Sequence, residues 1–395
     1  MGIKSSNPLF SYCNKNQSLN SDYIIYSSDN LRYVSKIQAN FRGYIFRKKN
    51  PQLSSDNNSI SNSFLTDLSK QVKEIPIVYS TDAQENNPKI LQLKNLLPKF
   101  ELNEKEKYIL NTSNTLKTIG LQYPGNSIYK GTINAKYQRE GYGKLFLPDG
   151  SIYEGFFKEN KMEGRGRLLN IDGFVYDGEF KNCLANGYGK YIGLDGTIYK
   201  GSWLNDKQNG IGEESYNDLS HYIGNFKDGK KNGKGKFFFP KGNLYEGNFV
   251  NNEIKGEGLY KWKDGRIYMG NWLDNHMNGY GIFYWPDKKK YYGNYLYNNK
   301  YGFGIFYWSD GHKFEGFWKD GKQHGFGKIT QENNTIYGEW YEGKHIKNIS
   351  NNDDIENINR MINEKKKEKE YVEFLSNIER YEKEIGMDKF LISTD

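Results

Sequence analysis

Few residues of this 395-residue chain have the types and spacing that catalysis or metal binding requires. His312 and His324 fall in the loops of one sequence repeat, without a cysteine or a cluster of acids beside them. Cys13 and Cys183 are too few for a disulfide framework or a four-ligand zinc site. The G-x-G pairs of the chain lack the third glycine and following helix of a dinucleotide site, and the nearest phosphate-loop match fails at Ile329. We therefore expect no enzyme, no metal site and no cofactor.

Two residues near the amino terminus fit patterns for covalent lipid attachment. The first six residues match M-G-x-x-x-[ST], the pattern for myristoylation of Gly2. One myristoyl chain holds a protein to a membrane only marginally, so a second signal is needed. Palmitoylation of Cys13 is one source of that signal, and the basic segment that follows is another. The plainer alternative is that Cys13 is an ordinary cysteine near a terminus.

Residues 31–50 predict a basic amphipathic helix. Val34, Ile37, Phe41 and Ile45 recur at helical spacing and form one apolar stripe. The stretch contains no acid, and its basic residues are Arg32, Lys36, Arg42, Arg47, Lys48 and Lys49. Such a helix is typical of calmodulin targets and of membrane-surface segments.

Residues 37–47 are also similar to the IQ motif, I-Q-x-x-x-R-G-x-x-x-R, at every defined position. The resemblance implies that calmodulin or a related EF-hand light chain binds here, with Ile37 inserted into one lobe. The candidate binding residues are Ile37, Gln38, Phe41, Arg42, Gly43 and Arg47. The alternative is an ordinary surface helix packed on the rest of the chain. If this helix also contacts a membrane, calmodulin would cover its cations and act as an electrostatic switch.

The elements that must position these segments come from an internal repeat. All but five of the 43 glycines lie within residues 129–343. There a Y-x-G-x-[WF] pattern followed by G-x-G recurs every 23 residues, after a first step of 24. The copies begin at Tyr129, Tyr153, Tyr176, Tyr199, Tyr222, Tyr245, Tyr268, Tyr291 and Phe314, and a degenerate tenth copy covers 336–340.

Each repeat predicts one β-hairpin. Strand side chains alternate, so the two aromatic residues and the glycine share one face, and the glycine leaves room for neighbouring rings. Asp-Gly pairs such as Asp149-Gly150 predict two-residue turns. The other connection is predicted to be longer and to end in Asn-Gly, as at Asn209-Gly210. Stacked hairpins share stability, so the fold class is mainly β: an elongated, twisted antiparallel sheet of hairpins with flanking amphipathic helices.

This repeat resembles the MORN (membrane occupation and recognition nexus) repeat over residues 129–343, in nine copies and a partial tenth. MORN arrays occur in junctional membrane proteins, radial-spoke heads, cytoskeletal scaffolds and some phosphoinositide kinases. The resemblance implies scaffolding, homodimer formation or contact with anionic phospholipids, and no chemistry of its own. Kinase signatures are missing from the chain, so a kinase activity does not follow.

The flanking regions predict short helices. Residues 1–30 form an amino-terminal segment, and residues 51–128 a linker with one helix at Lys89–Leu97, which we expect to cap the first open strand edge. Residues 344–395 carry alternating charges around an apolar stripe at helical spacing. Two interpretations of this last helix stay open: a cap over the last hairpin, or a short coiled-coil dimerisation helix.

The chain is predicted to be a non-enzymatic scaffold that organises protein partners at a membrane or cytoskeletal structure, including cilia. The mean hydropathy of −0.88 and the lack of a long apolar run predict a cytoplasmic location. The alternative is a phospholipid-binding module in which Lys230, Lys231, Lys234 and Lys236, or residues 288–290, meet headgroups. Aromatic columns explain the interleaved aromatic and basic residues without nucleic acid, so we expect no nucleic-acid partner.

Overall fold

The structure is a computed structural model that describes residues 73–77, 81–113, 116–123, 126–332 and 334–384. Gly2, Cys13 and the candidate calmodulin-binding residues between 37 and 47 lie outside the described residues. The described residues divide into two compact units, a first unit that ends at residue 263 and a second unit that begins at residue 264. The described residues form 22 antiparallel strands, which confirms the predicted mainly β fold of hairpins.

In the first unit each described strand pairs antiparallel with the next along the chain. Its strands are β1 (Lys73–Ile75), β2 (Lys117–Gln122), β3 (Ile128–Ile133), β4 (Arg139–Phe146), β5 (Ile152–Lys158), β6 (Lys161–Asn170), β7 (Phe174–Lys181), β8 (Leu184–Gly193), β9 (Ile198–Leu204), β10 (Lys207–Ser215), β11 (His221–Lys227), β12 (Lys230–Phe238), β13 (Leu244–Val250) and β14 (Glu253–Lys261). Its helices are α1 (Asp82–Glu85), α2 (Pro88–Lys94) and α3 (Glu104–Thr112).

The second unit repeats the arrangement. Its strands are β15 (Ile267–Leu273), β16 (His276–Tyr284), β17 (Lys290–Leu296), β18 (Asn299–Tyr307), β19 (Lys313–Lys319), β20 (Lys322–Gln331), β21 (Asn334–Tyr341) and β22 (Lys344–Ile349). Two helices follow, α4 (Asn352–Lys367) and α5 (Lys369–Glu384), where the sequence predicted one. The break lies at Glu368, whose ψ of 134° is not helical.

The predicted turn assignment is wrong, because the two kinds of connection are exchanged. Two-residue turns join the strands within a repeat, as at Glu159-Asn160, where both residues have positive φ. Asp149-Gly150 instead lies in the longer connection before β5, where the Asp149 carboxylate accepts from the Ser151 amide at 2.8 Å. Asn209-Gly210 lies inside β10, where the register shifts. Bulges and turns both need positive φ, so an Asn-Gly pair does not distinguish them.

One face of the sheet, here called the inner face, carries the repeated tyrosines and glycines. The Tyr153 hydroxyl donates to the Phe156 carbonyl at 2.9 Å, and its ring lies across two glycines. A Cβ on Gly166 would lie 2.3 Å from the Tyr153 hydroxyl oxygen, so only glycine fits there. The ring meets Phe157 of its own repeat and Phe180 of the next edge to face, at 5.1 Å in each case. Adjacent repeats therefore share one aromatic column.

The second residue of each two-residue turn holds the preceding repeat. Asn252 donates its amide to the Lys231 carbonyl at 2.9 Å, and its side chain accepts from the Lys231 amide at 2.7 Å. Asn298 makes the same pair of bonds with Met277. At Gly229 only the amide bond to the Gln208 carbonyl is possible, since glycine lacks a side chain. These bonds couple neighbouring hairpins beyond the strand ladder.

Candidate interaction surface

The opposite face of the sheet, here called the outer face, is where the candidate functional residues lie. In the first unit α2 covers its beginning, and Ile90 and Leu93 are buried there against Phe146 and Ile152. The sequence predicted a helix at this place, but its role differs from the expected one. Strand β1, within the predicted linker, pairs with β2, and α2 packs on the sheet face rather than on a strand edge.

The segment after α2 continues along the outer face through charged and aromatic contacts. The Arg165 guanidinium binds the Glu106 carboxylate of α3 at 2.7 Å and lies 4.4 Å from the centre of the Phe100 ring. Phe100 stacks on Tyr142 with ring centres 6.4 Å apart. The hydrogen bond from Arg165 lowers the pKa of Glu106. A helix is thus held on a cationic and aromatic part of the sheet through the carboxylate of Glu106.

From β8 to β14 the outer face exposes large apolar side chains, and we call this region the open face. Tyr188 is 62% exposed and Ile211 is 71% exposed. Ile223 and Phe238 on the following strands are also exposed. A soluble surface seldom places several large apolar side chains on one contiguous sheet face, so the open face has the composition of an interaction site.

Lysines that form no ion pair within 4 Å among the described residues accompany these apolar residues. Lys190 and Lys200 lie directly opposite each other on β8 and β9, while Asp177 on β7 lies opposite Lys190 and Glu213 on β10 lies opposite Lys200. These two lysines and Lys234 form no ion pair with any described residue. Earlier on the same face the cations are paired, as in Arg167 with Asp177 and Lys144 with Glu154. The unpaired cations indicate a site that an anionic partner would complete.

In the second unit helices α4 and α5 cover the outer face. Tyr280 of β16 packs against Tyr371 and Phe374 of α5, with ring centres 5.6 and 5.7 Å away. Burial, and to a smaller extent the neighbouring Glu368 carboxylate, raises the pKa of Tyr280 to about 12. The helices lie on the sheet face, whereas the sequence predicted a cap over the last hairpin or a coiled coil. Their apolar stripe is used within the unit.

Glu315 of β19 fixes α4 electrostatically. Its carboxylate contacts Lys366 of α4 and lies 3.1 Å from Lys313 of its own strand. Burial opposes ionisation of Glu315, but these lysines outweigh it and hold the pKa of the carboxyl below its usual value.

A polar cluster lies buried on the inner face of the first unit. Lys231 is 0% exposed, and its ammonium lies 2.7 Å from the Glu214 carboxylate and 2.6 Å from the Tyr216 hydroxyl. Burial lowers the pKa of Lys231, and Glu214 opposes that shift. The prediction that Lys231 contacts phospholipid headgroups is therefore wrong, because a register shift in β12 turns it inward while Lys234 and Lys236 stay exposed.

The other residues with chemical potential have structural surroundings. Cys183 is buried in a turn, where its sulfur accepts from the Met162 amide at 3.3 Å. His312 stacks on Trp308, with ring centres 4.2 Å apart, and His324 packs beside Tyr341. Within the described ranges, no group of three or more His, Cys, Asp or Glu is placed to hold a metal ion. A helix long and apolar enough to span a membrane is also not found among the residues described.

Comparison with known proteins identifies the repeat. The family model for the MORN repeat matches at eight places, residues 136–152, 153–174, 176–198, 199–220, 222–244, 245–265, 268–290 and 314–336. The copy predicted to begin at Tyr291 is not among them, although β17 and β18 form the same hairpin. No curated protein sequence matches the chain.

Two solved structures show weak similarity. The TCP10 domain of CPAP from Danio rerio is 11% identical, over 60% of this chain and 99% of that chain, with a TM-score of 0.31. The TCP domain of SAS-4 (dCPAP) from Drosophila melanogaster, in complex with a proline-rich motif of Ana2, is 13% identical. It covers 51% of this chain and 99% of that chain, with a TM-score of 0.22. Neither similarity bears on the function of this chain.

Proposed function

Because the chain carries eight MORN repeats, we propose that it is a non-enzymatic scaffold that gathers protein partners at a membrane or cytoskeletal structure. MORN repeats are often associated with such structures. The observation that carries the proposal is the open face, where exposed Tyr188 and Ile211 lie beside unpaired lysines. In the first unit the chain's own helices α2 and α3 cover one part of the outer face and the open face follows, an arrangement that suits a protein that binds partners rather than one that catalyses a reaction on them.

Proximity labelling of the tagged full chain in its own cell tests this function. We expect membrane or cytoskeletal proteins in the labelled set, and we expect to lose them when Gly166→Val and Gly212→Val disrupt the array. These glycines lie under Tyr153 and Tyr199, so any Cβ collides with a ring. The proposal fails if the wild type and the glycine variant both label the same proteins as a freely diffusing control protein does.

We further propose that calmodulin or a related EF-hand protein binds the predicted helix at residues 31–50. The support is the sequence match of Ile37, Gln38, Arg42, Gly43 and Arg47 to the IQ motif. Titration of the full chain with calmodulin, with and without calcium, should give a micromolar or tighter complex that Ile37→Ala with Arg42→Ala abolishes. Equal binding by wild type and this variant would contradict the proposal.

Lipid attachment at Gly2, aided by Cys13, would bring this scaffold to a membrane. We expect Gly2→Ala to release the tagged full chain from the membrane fraction of its own cell. Cys13→Ser should do so only if the cysteine carries the second acyl chain. Unchanged fractionation of Gly2→Ala would exclude the myristoyl anchor.

A second candidate function is binding to anionic phospholipids. The unpaired cations of the open face, Lys190, Lys200 and Lys234, favour it. Flotation of the full chain with phosphoinositide vesicles at physiological salt tests it, since loosely held surface cations are screened under those conditions. Binding that persists there, and that Gly2→Ala does not remove, would support the lipid function over a pure scaffold.

A further inference from the structure

We propose that the open face binds an α-helix of a partner protein, and that this helix carries acidic residues beside an apolar stripe. The inference rests on the proposed scaffold function and specifies the chemistry of one partner. The named contact residues are Tyr188 and Ile211 as apolar anchors, with Lys190, Lys200 and Lys234 as carboxylate partners.

The spacing of these residues matches a helix that runs across the strands. Tyr188 pairs in register with Ser202, and Ile211 with Asn225. Because Gly201 pairs with Gly212, Ser202 lies beside Ile211 at the bulge of β10, and the two anchors belong to one row. Strands lie about 4.8 Å apart, which places Tyr188 and Ile211 roughly 10 Å apart along that row. Two helical turns, from residue i to i+7, advance by about 10.5 Å. A partner helix can therefore place one apolar side chain on each anchor.

The anchor row and the adjacent row of the sheet determine at which positions the partner helix must carry its acidic residues. Lys234 on β12 continues the anchor row after two more strands, where it pairs in register with Asn248. A carboxylate near position i+14 of the partner helix would meet it. Lys200 lies in the adjacent row, opposite Lys190, and would receive an acid from position i+3 or i+4. An acid beside Lys200 would also screen the like-charge contact between Lys200 and Lys190.

The first unit already contains an example of this recognition. Arg165, on the part of the outer face that precedes the open face, receives Glu106 from α3. Its cross-strand neighbour is Glu179 on β7, the strand before the one that carries Tyr188. The open face is thus continuous with a surface on which the chain binds a helical carboxylate of its own, and within the described ranges Lys190, Lys200 and Lys234 form no such ion pair.

Charge argues against three other occupants. The predicted basic helix at 31–50 has six cations and no acid, and it would place them against lysines. A second copy related by two-fold symmetry would bring an identical set of unpaired lysines to the interface and no additional acid that the face does not already have. An anionic bilayer would meet Glu213, Glu246 and Glu257, which lie among the lysines of the open face. An individual helix can avoid these acids, whereas a continuous layer of headgroups cannot.

Selection from a displayed library of 20-residue helical peptides on the full chain tests the proposal. We expect enrichment of acidic peptides with apolar residues at i and i+7. Tyr188→Ser with Ile211→Ser should weaken binding of the enriched peptides at least tenfold. The matched control, Leu194→Ser with Leu219→Ser, removes two exposed leucines in the loops that follow β8 and β10 and should leave affinity within twofold.

Charge reversal separates specific pairing from general attraction. An enriched peptide whose acids are changed to lysine should lose binding to the wild type and regain it on Lys190→Glu with Lys200→Glu. Circular dichroism of each variant confirms that the sheet is intact. Enrichment of basic peptides would overturn the proposal, and so would peptide affinities that are the same for the wild type and the Tyr188→Ser, Ile211→Ser variant.

Two further results distinguish this inference from the scaffold function on which it rests. Phosphatidylserine vesicles bound through Tyr188, Ile211 and Lys200 would assign the open face to lipid and overturn the helix proposal. Partners that proximity labelling recovers from the wild type and equally from the Tyr188 and Ile211 variant would leave the scaffold function intact but refute this site. Loss of those partners, with peptide binding lost in parallel, is the expected result.

Discussion

Removal of one member of the buried pair formed by Lys231 and Glu214 should cost far more stability than removal of both. Glu214→Gln leaves the ammonium of Lys231, fully buried, without its carboxylate. A broken buried ion pair costs about 3–5 kcal/mol in free energy of unfolding. The Tyr216 hydroxyl at 2.6 Å and the rings of Tyr216 and Tyr222 at 5.2 and 5.0 Å still face the ammonium. We therefore expect about 3 kcal/mol, the lower end of that range.

The residues of neighbouring repeats define the compensated variant. At the positions of Glu214, Tyr216 and Lys231, other repeats carry Phe237, Phe239 and Met277. The triple change Glu214→Phe, Tyr216→Phe, Lys231→Met replaces the polar cluster by side chains that the inner face holds elsewhere. Since apolar replacement of a buried ion pair is often neutral or stabilising, we expect stability within about 1 kcal/mol of the wild type or above it.

Urea unfolding of the full chain, followed by circular dichroism, measures these changes. Repeat arrays need not unfold in one step, so amide hydrogen exchange in β10–β12 should localise the loss. The matched control is Glu246→Gln, which breaks the exposed pair of Lys236 and Glu246, 3.0 Å apart. That change should cost under about 1 kcal/mol. Equal costs for Glu214→Gln and Glu246→Gln, or a triple variant as unstable as the single one, would refute the reasoning.

Three other predictions concern the packing of the repeats. Gly166→Ala should destabilise the first unit by at least about 1–3 kcal/mol, because the new Cβ would collide with the Tyr153 ring. Urea unfolding measures this change, and Ser202→Ala, at a half-buried position of the outer face, is the control. Gly229→Asn should stabilise the first unit by about 1 kcal/mol, because Gly229 occupies the turn position at which Asn252 accepts a hydrogen bond from the preceding repeat. Gly229 has positive φ and free space for a Cβ. Asn252→Gly should destabilise by a similar amount, and destabilisation by both changes would contradict the turn argument. The lowered pKa of Glu315 means that its ion pairs stabilise the second unit above about pH 4.5 and that this contribution disappears as pH falls through the lowered pKa. Amide protection in α4, taken relative to the intrinsic exchange rate at each pH, should decrease between pH 6 and pH 3, and Glu315→Gln should show low protection at both.

The hairpin array could be predicted from the sequence because one physical demand recurs in every copy. A ring that lies across the backbone, as Tyr153 does over Gly166, needs glycine at a fixed distance, and that need leaves a periodic trace. The turn types could not be predicted, since positive φ at Gly210 serves a bulge and positive φ at Asn160 serves a turn. Strands β1 and β2 lie in the predicted linker, and their few residues show no repeat.

The candidate site was harder to predict because sequence adjacency misleads on a bulged strand. Lys231 and Lys234 are three residues apart, and the sequence alone predicts that they share one basic patch. The register shift in β12 separates them, with Lys231 buried on the inner face and Lys234 exposed on the outer face. Comparison between repeats carries the missing signal, since Glu214 and Lys231 each replace an apolar residue found 23 or 46 positions later. The unpaired state of Lys190 and Lys200 depends on strand register, which a single sequence does not show.

The tyrosine that rests on two glycines also limits how this gene can change. Every single-base change in a glycine codon that alters the amino acid introduces a Cβ or ends the chain. At Gly166 and at its counterparts, such as Gly189 and Gly212, that Cβ would overlap a tyrosine ring. Point mutations at these glycines are therefore destabilising in every such copy, whereas exposed positions of the outer face tolerate other side chains. Duplication or loss of a whole 23-residue unit leaves every ring on its glycines, so the array should evolve in length more readily than in its inner face.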